Sequence, residues 1–347
     1  MDSIKKIIAE KIVSFFENTD LTVEAISEVF DTPPDPTMGD LALACFKLSK
    51  VLRKSPVAIA GELATRFSEA LPEGIYKIEN AGGYLNFFLA DSYRVSVLKE
   101  ILEQGSDYGR NELGKGKTMV IDYSSPNIAK RFHIGHLGTT IIGNSIKLIH
   151  QFSGFKTVGI NYLGDWGTQY GKLMVSFKKW GNEEKIREIG IEELNRLYVL
   201  FGTEAEKDPT LNDEARKEFA ALEAGDEESL RLWRLFKEIS LQEYMKTYEL
   251  LGVSFDSFNG ESFYSDKMPA VVDELKEKKL LKLDDGASIV DLEAYKMPPC
   301  LILKRDGSSL YPTRDIAAAL WRKNEYQFDK CVYVTSAGQS LHFAQWF

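Results

Sequence analysis

Between residues 118 and 167 the chain reads strand, helix, strand, and this order constrains the fold more than any other feature. TMVIDYSS (118–125) is β-branched and apolar with a polar end, and KTVGINYLGDWG (156–167) reads as a second strand. Between them GHLGTTIIGNSIKLIHQFSGF (135–155) carries helix-spaced Leu137, Ile141, Ile142, Ile146 and Ile149. Strands joined through a helix run parallel with a right-handed crossover, so an α/β fold with a parallel sheet is expected. From about 180 to 280 the chain turns charged and helical, which reads as an insertion, and strands return at ASIVDL, CLILKRDG and KCVYVTS.

The preceding residues predict a small α+β unit. It begins with a helix, passes through the loop DTPPDPTMGD to helices near 41–53 and 56–70, then reaches a strand-like AGGYLNFFLA and a helix from about 91. GSDYGRNELGKGK (105–117) is rich in glycine and charge without apolar periodicity, the composition of an interdomain linker. The boundary is therefore set near 113, giving domains 1–112 and 113–347.

The N-terminal MDSIKKIIAEKIVSFFEN spaces Ile4, Ile7, Ile8 and Phe15 as an amphipathic helix, with Glu10 and Glu17 interrupting the apolar run. It is neither a signal peptide nor a membrane span. Cys45, Cys300 and Cys331 are odd in number and far apart, so no disulfide framework or zinc spacing is expected, and a reducing cytoplasm is the natural setting. A net charge of −9 argues against gripping nucleic acid by bulk positive charge. A local basic face is still open: Lys47, Lys50 and Lys54 fall at i, i+3 and i+7 of a predicted helix, although the spacing taken alone favours a merely solvated face.

Two of the four histidines, His133 and His136, flank Gly135 where the helix after the first strand begins. In open α/β sheets ligands bind beyond the carboxyl ends of strands, where a helix start offers free N–H groups to phosphate. Two imidazoles at i and i+3 can reach an anion held there, and the glycine lets a flat ligand lie against the backbone. A metal pair or a helix cap would fit the same tetrapeptide, but His150 and His342 are isolated and supply no further ligand spacing. No protein-bound metal is expected.

The surrounding residues sharpen this. DYSSPNIAKRFHIGHLGTTIIG, NYLGDWGTQYG, DGSSLYPTRDIAAAL and QSLHFAQWF together resemble class I arginyl-tRNA synthetases, and PTMGDLALACFKLSKVLRKSP is similar to that family's additional N-terminal domain. The resemblance implies a Rossmann-like parallel-sheet catalytic domain with a helical insertion, preceded by a tRNA-contacting α+β domain. It implies ATP-dependent activation of L-arginine, with magnesium carried by ATP as substrate, and transfer to tRNA(Arg); a monomer in the cytoplasm without membrane contact is expected. Family positions give Lys130, His133 and His136 to catalysis at the ATP phosphates and Gly135 to the adenosine. Asp122 and Asp315 fall to the arginine guanidinium with Tyr311 beside them, and Ser124, Asn127 and Gln339 to its α-amino and carboxylate end. On residues alone, a strand-end cap is the favoured reading of Asp122 and a first-turn helix residue that of Asp315; the joint family pattern reverses this.

Departures from the family pattern weigh against full ATP affinity. Arg131 stands where proline is usual, Gly138 where arginine is usual, and Ser336 where glycine is common. KMP at 296–298 superficially resembles the second class I signature but reads as a loop. The chain stops at Phe347 before the KMSKS-type loop and the anticodon-binding domain, so a fragment with little activity of its own is expected. The competing expectation is a non-catalytic tRNA-binding module or inactive paralogue.

Overall fold

The structure, a computed structural model, describes residues 2–16, 19–305 and 310–347; Glu17 and the DGSS stretch 306–309 lie outside them. It divides the chain into two units, Met1–Gly109 and Arg110–Phe347, taken here in turn.

The first unit holds helices α1 (Asp2–Phe15), α2 (Val23–Ser27), α3 (Ser49–Leu52), α4 (Pro56–Glu69) and α5 (Asp91–Gln104). Its strands are β1 (Phe30–Asp31), β2 (Leu41–Ala44), β3 (Ile75–Ala81) and β4 (Tyr84–Leu89). They form an antiparallel sheet in the order β1-β2-β4-β3. Helix α4 is started by Ser55, whose hydroxyl accepts from Ala58 N, and by Pro56 in the first turn. It buries Ile59, Ala60, Leu63 and Phe67 against Leu85 and Phe87 of β4 and against Ile4, Ile8 and Ile12 of α1. Ile59, Leu63 and Phe67 each contribute roughly 1.5–3 kcal/mol on burial.

Three expectations are corrected here. In α1 the inner face is Ile4, Ile8 and Ile12, while Ile7 is exposed, because positions four apart share one side of a helix. Residues 41–44 are a central strand, not helix; all four are buried, which hides the alternation that marks a half-buried strand. AGGYLNFFLA is not one strand, since Gly82 at φ 63° turns the chain between β3 and β4.

The second unit has a parallel sheet of order β10-β5-β6, from β5 (Thr118–Asp122), β6 (Lys156–Ile160) and β10 (Lys330–Tyr333), with α6 (Ile134–Phe152) joining β5 to β6. The mixed α/β class with a parallel sheet is as the sequence predicts. Strand β5 is buried along Met119–Asp122, as expected of a strand covered on both faces. Helices α7 (Thr168–Trp180), α8 (Glu183–Ile189), α9 (Ile191–Lys207), α10 (Leu211–Glu223), α11 (Glu227–Leu251) and α12 (Met268–Glu277) follow β6. Next come β7 (Leu281–Asp284), β8 (Ala287–Val290) and β9 (Cys300–Leu303), then α13 (Tyr311–Tyr326), β10 and α14 (Ser340–Trp346). ASIV and CLIL, the described strands of these two stretches, do not rejoin the parallel sheet. They lie in an antiparallel sheet β7-β8-β9 whose first hairpin turns at Asp285–Gly286, both at positive φ.

Helix α6 also faces otherwise than its isoleucines suggest. Ile141, Ile142, Leu148 and Ile149 are exposed, and Thr140, Gly143 and Lys147 are buried. Tyr123 lies so close that a Cβ at Gly143 would sit 2.3 Å from it. Lys147 lays its stem inward and carries its ammonium to Asp256 (2.9 Å) and the Ser254 carbonyl (3.1 Å).

Candidate functional site

The carboxyl ends of β5, β6 and β10 lie side by side, with Asp122 paired to Ile160 on one flank and to Tyr333 on the other. The loop after β5 is unusual: Ser124 (φ 72°), Ser125 (φ 47°) and Ala129 (φ 59°) are all left-handed without being glycine. Such residues persist where surrounding structure over-determines them. Here one face of α11 supplies the restraint. Ser240 Oγ accepts from Ala129 N (2.8 Å), Tyr244 donates to the Asn127 and Lys130 carbonyls (2.7 and 2.6 Å), and Tyr248 shares a hydrogen bond with Ser124 Oγ (2.8 Å). The predicted Ser124 hydroxyl is thereby buried between Tyr248 and Thr140, which donates to it. Asn127 is exposed, and its side chain crosses Gly164 so closely that a Cβ there would sit 1.8 Å from Oδ1. The grip of α11 escaped the sequence reading, although its hydroxyls recur four residues apart.

At the start of α6 the histidines cap their own helix. His133 is the N-cap, and its Nδ1 accepts from Gly135 N (3.1 Å); His136 Nδ1 accepts from His133 N (3.3 Å). The rings stack with centroids 3.8 Å apart. With both Nδ1 atoms accepting, a neutral ring carries its proton on Nε2. Burial, followed by the neighbouring His133 and Lys130, pulls His136 down to about 4, so at neutral pH it is a donor without charge. Lys130 is half-buried with its ammonium 5.6 Å from the Tyr198 ring centre. Arg131 turns away to pair with Glu192, and Gly138 faces open space.

Beyond the strand ends, α13 brings up Asp315 and Arg322, seven residues apart on one helix face. Together with Asp122, Ser125, Tyr162 and Tyr333 they line a cavity of about 80 Å³. Asp122 is 5% exposed. Its Oδ2 meets Arg322 Nη1 at 2.8 Å, and its Oδ1 accepts from Ser125 Oγ at 2.9 Å. Asp315 accepts from Tyr162 (3.1 Å) and meets His342 Nε2 of α14 at 2.6 Å. It belongs to the second turn of α13, not the first, so the reading of it as a first-turn dipole partner falls. Tyr311, one turn earlier, is 61% exposed, and Gln339 is exposed where α14 begins. Glu261, which sequence reasoning passed over, is 8% exposed and pairs with Arg314 (3.2 Å). Burial pushes it up to about 8, against the pull of Arg314.

Asp165 of GDWG, given no role from the sequence, is fully buried. It takes Lys237 at 2.6 Å, with Ser262 N and Oγ both at 2.8 Å, and so anchors the loop after β6 to α11. Lys296–Pro299 is loop, as read, and Ser336 is exposed at the start of a 3-10 turn. Among the described residues no group of three or more His, Cys, Asp or Glu could hold a metal ion, and no helix is long and apolar enough to cross a membrane.

In the first unit, Lys47, Lys50 and Lys54 do not share a helix face. Lys47 lies in a 3-10 turn, Lys50 in the four-residue α3, and Lys54 beyond the left-handed Arg53, where it pairs with Glu62. The same unit carries a groove of about 310 Å³ lined by Asp31, Pro33, Met38, Ala81, Tyr84 and Asn86. Tyr84 is 41% exposed there, packed edge-on against Phe46 at 5.3 Å.

Comparison with known proteins matches residues 97–347 to the catalytic domain of class I tRNA synthetases (R), and residues 2–89 to the arginyl tRNA synthetase N terminal domain. An arginine–tRNA ligase of Alkaliphilus metalliredigens is 53% identical over 321 residues, covering 92% of this chain and 56% of its own length. That of Clostridioides difficile is 53% identical over 330 residues, covering 94% and 58%. The arginyl-tRNA synthetase structure of Plasmodium falciparum superposes with a TM-score of 0.72 at 25% identity, over 99% of this chain and 60% of that one. The chain thus spans somewhat under two thirds of the length of the relatives it matches, and it belongs to the arginyl-tRNA synthetase family of class I enzymes.

Proposed function

We propose that this chain carries the arginine- and ATP-handling part of an arginyl-tRNA synthetase, with 113–347 as the catalytic region and 1–112 as a tRNA-contacting one, working in the cytoplasm. The observation that carries the reading is Asp315: a partly buried acid at the strand ends, held only by partners that a guanidinium can displace, with Tyr311 one turn away. A carboxylate offers a guanidinium the paired acceptors that lysine cannot use as a fork and that neutral citrulline does not attract as a charge. His342 leaves Asp315 as the substrate enters.

The arginine carboxylate attacks the α-phosphorus of ATP. The bond to the bridging oxygen breaks, and pyrophosphate departs with the electron pair, so no protein nucleophile is needed. His133 and His136 donate Nε2–H toward the phosphates beside the free N–H groups of α6, and Lys130 swings from Tyr198 to add charge. Gly135 gives the adenosine room, and magnesium travels with the phosphates. Asn127 and Gln339 take the α-amino and carboxylate end, with Ser124 shaping the loop beneath them. The aminoacyl group then passes to the terminal ribose hydroxyl of tRNA(Arg), AMP leaving. For the first unit, the Tyr84 groove suits an unstacked base better than the scattered lysines suit a phosphate track.

Calorimetric titration with L-arginine, using citrulline as a neutral control of the same shape, tests the reading. Arginine alone is expected to bind; equal binding of both, or of neither by the folded chain, overturns it.

A further inference from the structure

One face of α11 holds both loops at the strand ends. Trp233, Lys237, Ser240, Tyr244 and Tyr248 recur along it at steps of three and four. The first two grip the loop after β6 through Asp165: Trp233 Nε1 donates to its carbonyl (2.7 Å) and Lys237 to its carboxylate (2.6 Å). The other three grip the loop after β5. The two loops are also bonded to each other, Gly164 N donating to the Pro126 carbonyl (3.1 Å) and Ile128 N to the Gly164 carbonyl (3.2 Å). We infer that Tyr244 is the positioning residue of this assembly: its hydroxyl pre-forms residues 127–130, so that Asn127 and Lys130 stand ready for arginine and ATP before either arrives. This rests on the functional reading above, which gives those two residues to the substrates.

The Tyr244 hydroxyl lies 2.7 Å from the Asn127 carbonyl and 2.6 Å from the Lys130 carbonyl. A hydroxyl has one proton to give, so two carbonyls three residues apart are drawn to a single point and the chain between them is folded back. Ala129, inside that turn, takes φ 59° without being glycine, a conformation that costs free energy and lasts only under restraint. Its N–H is held in turn by Ser240 Oγ (2.8 Å). Tyr244 and Ser240 are both fully buried, and burial pushes the Tyr244 phenol well up, so the donor keeps its proton.

A loop already in its binding shape adds no ordering cost to either ligand. Without the Tyr244 hydroxyl, Ala129 is free to relax, only a fraction of molecules hold the loop formed, and the apparent affinity for each ligand falls by that fraction. Whichever ligand binds first then orders the loop for the second, so cooperativity arises that the unaltered chain does not need. A hydrogen bond that merely adds stability would lower the melting temperature and leave both affinities alone. A direct contact to one ligand would affect that ligand only.

The test is calorimetry of the unaltered chain and of Tyr244→Phe with two ligands, each alone and each with the other saturating. One is L-arginine; the other is an ATP analogue with magnesium, a methylene replacing the oxygen between its α- and β-phosphorus. Tyr244→Phe is expected to bind each ligand alone about 10-fold more weakly, and to come within about 2-fold of the unaltered chain when the other is present. Ser240→Ala, which removes only the acceptor of Ala129 N, should show the same pattern at about 3-fold, and it carries the test if Tyr244→Phe does not fold. A loss confined to one ligand, a loss that the second ligand does not relieve, or no loss at all overturns the inference. Where the unaltered chain does not bind a ligand, the functional reading falls for that ligand and the loop is judged by amide hydrogen exchange. The Ile128 and Ala129 amides should then exchange about 10-fold faster in Tyr244→Phe, while those of Val120 and Ile121 in β5 keep their rate; unchanged exchange at 128 and 129 overturns the inference.

Discussion

The two units bury different things. Among the described residues, 2–109 hide one polar side chain, Asn86, whereas 110–347 hide thirteen polar or charged ones, among them Asp122, Lys147, Asp165, Glu261 and Arg322. The first unit has the usual logic of a small domain, an apolar centre with its charges outside. The second holds charge in places where only a partner makes it tolerable. Stability in the first should therefore depend on shape and little on pH, and in the second on the integrity of pairs.

The largest effects probe that contrast directly. Phe67→Ala removes a fully buried ring packed on Phe15 and Phe87, and should cost about 3–5 kcal/mol in denaturant unfolding of the first unit, equally at pH 6 and pH 8. Asp165→Asn leaves the Lys237 ammonium facing a neutral group and should cost the second unit about 3 kcal/mol. If Asp165→Asn is silent while Phe67→Ala is severe, the buried charges of the second unit are incidental to its stability.

A pH slope of intermediate size should follow from two opposed groups. Glu261 titrates near 8 in the fold against 4.5 ordinarily, so the folded state holds the extra proton between those values and stability falls as pH rises through them. His136, lowered from 6.5 to about 4, acts the other way, adding stability as pH rises to 6.5. Below pH 6.5 the two offset. From 6.5 to 8 the opposing His136 slope is gone and the Glu261 slope remains, at most ~1.4 kcal/mol per pH unit, and Glu261→Gln should reduce it. A second unit whose stability is level from pH 6.5 to 8 would show Arg314 holding Glu261 ionised throughout.

How much of this was legible in the sequence follows the same division. Strands β5, β6 and β10 and the start of α6 were readable because apolar runs and a motif mark them. The inward face of α6 was not, because a glycine and the stem of a lysine do the packing that isoleucines usually do. The hairpin turns carried their signals, Gly82–Gly83 and Asp285–Gly286, but β3 is exposed over most of its length and β7 is exposed, so neither reads as a strand. In the site, His133 and His136 stood out by pattern, and Asp315 only by the family resemblance. Arg322 did not, since what makes it matter is Asp122, distant in sequence and adjacent only once β5 and α13 are packed; its spacing of seven from Asp315 was the one available hint.

The smallest effects concern tRNA at the first unit, and salt dependence separates the alternatives. If a base stacks on Tyr84, Tyr84→Ala should weaken tRNA binding by about 1–3 kcal/mol and leave its salt slope unchanged, since stacking releases no counterion. If Lys47 and Lys50 instead meet phosphates, replacing both with alanine should flatten that slope by roughly 0.7–0.9 for each phosphate left unneutralised, with a modest change in affinity at high salt. Lys54 is the least promising of the three, because Glu62 already neutralises it. A titration repeated at several salt concentrations therefore decides between a stacking groove and a basic face: a changed slope for Tyr84→Ala, or a lysine effect larger than the tyrosine one, would return the first unit to recognition by charge.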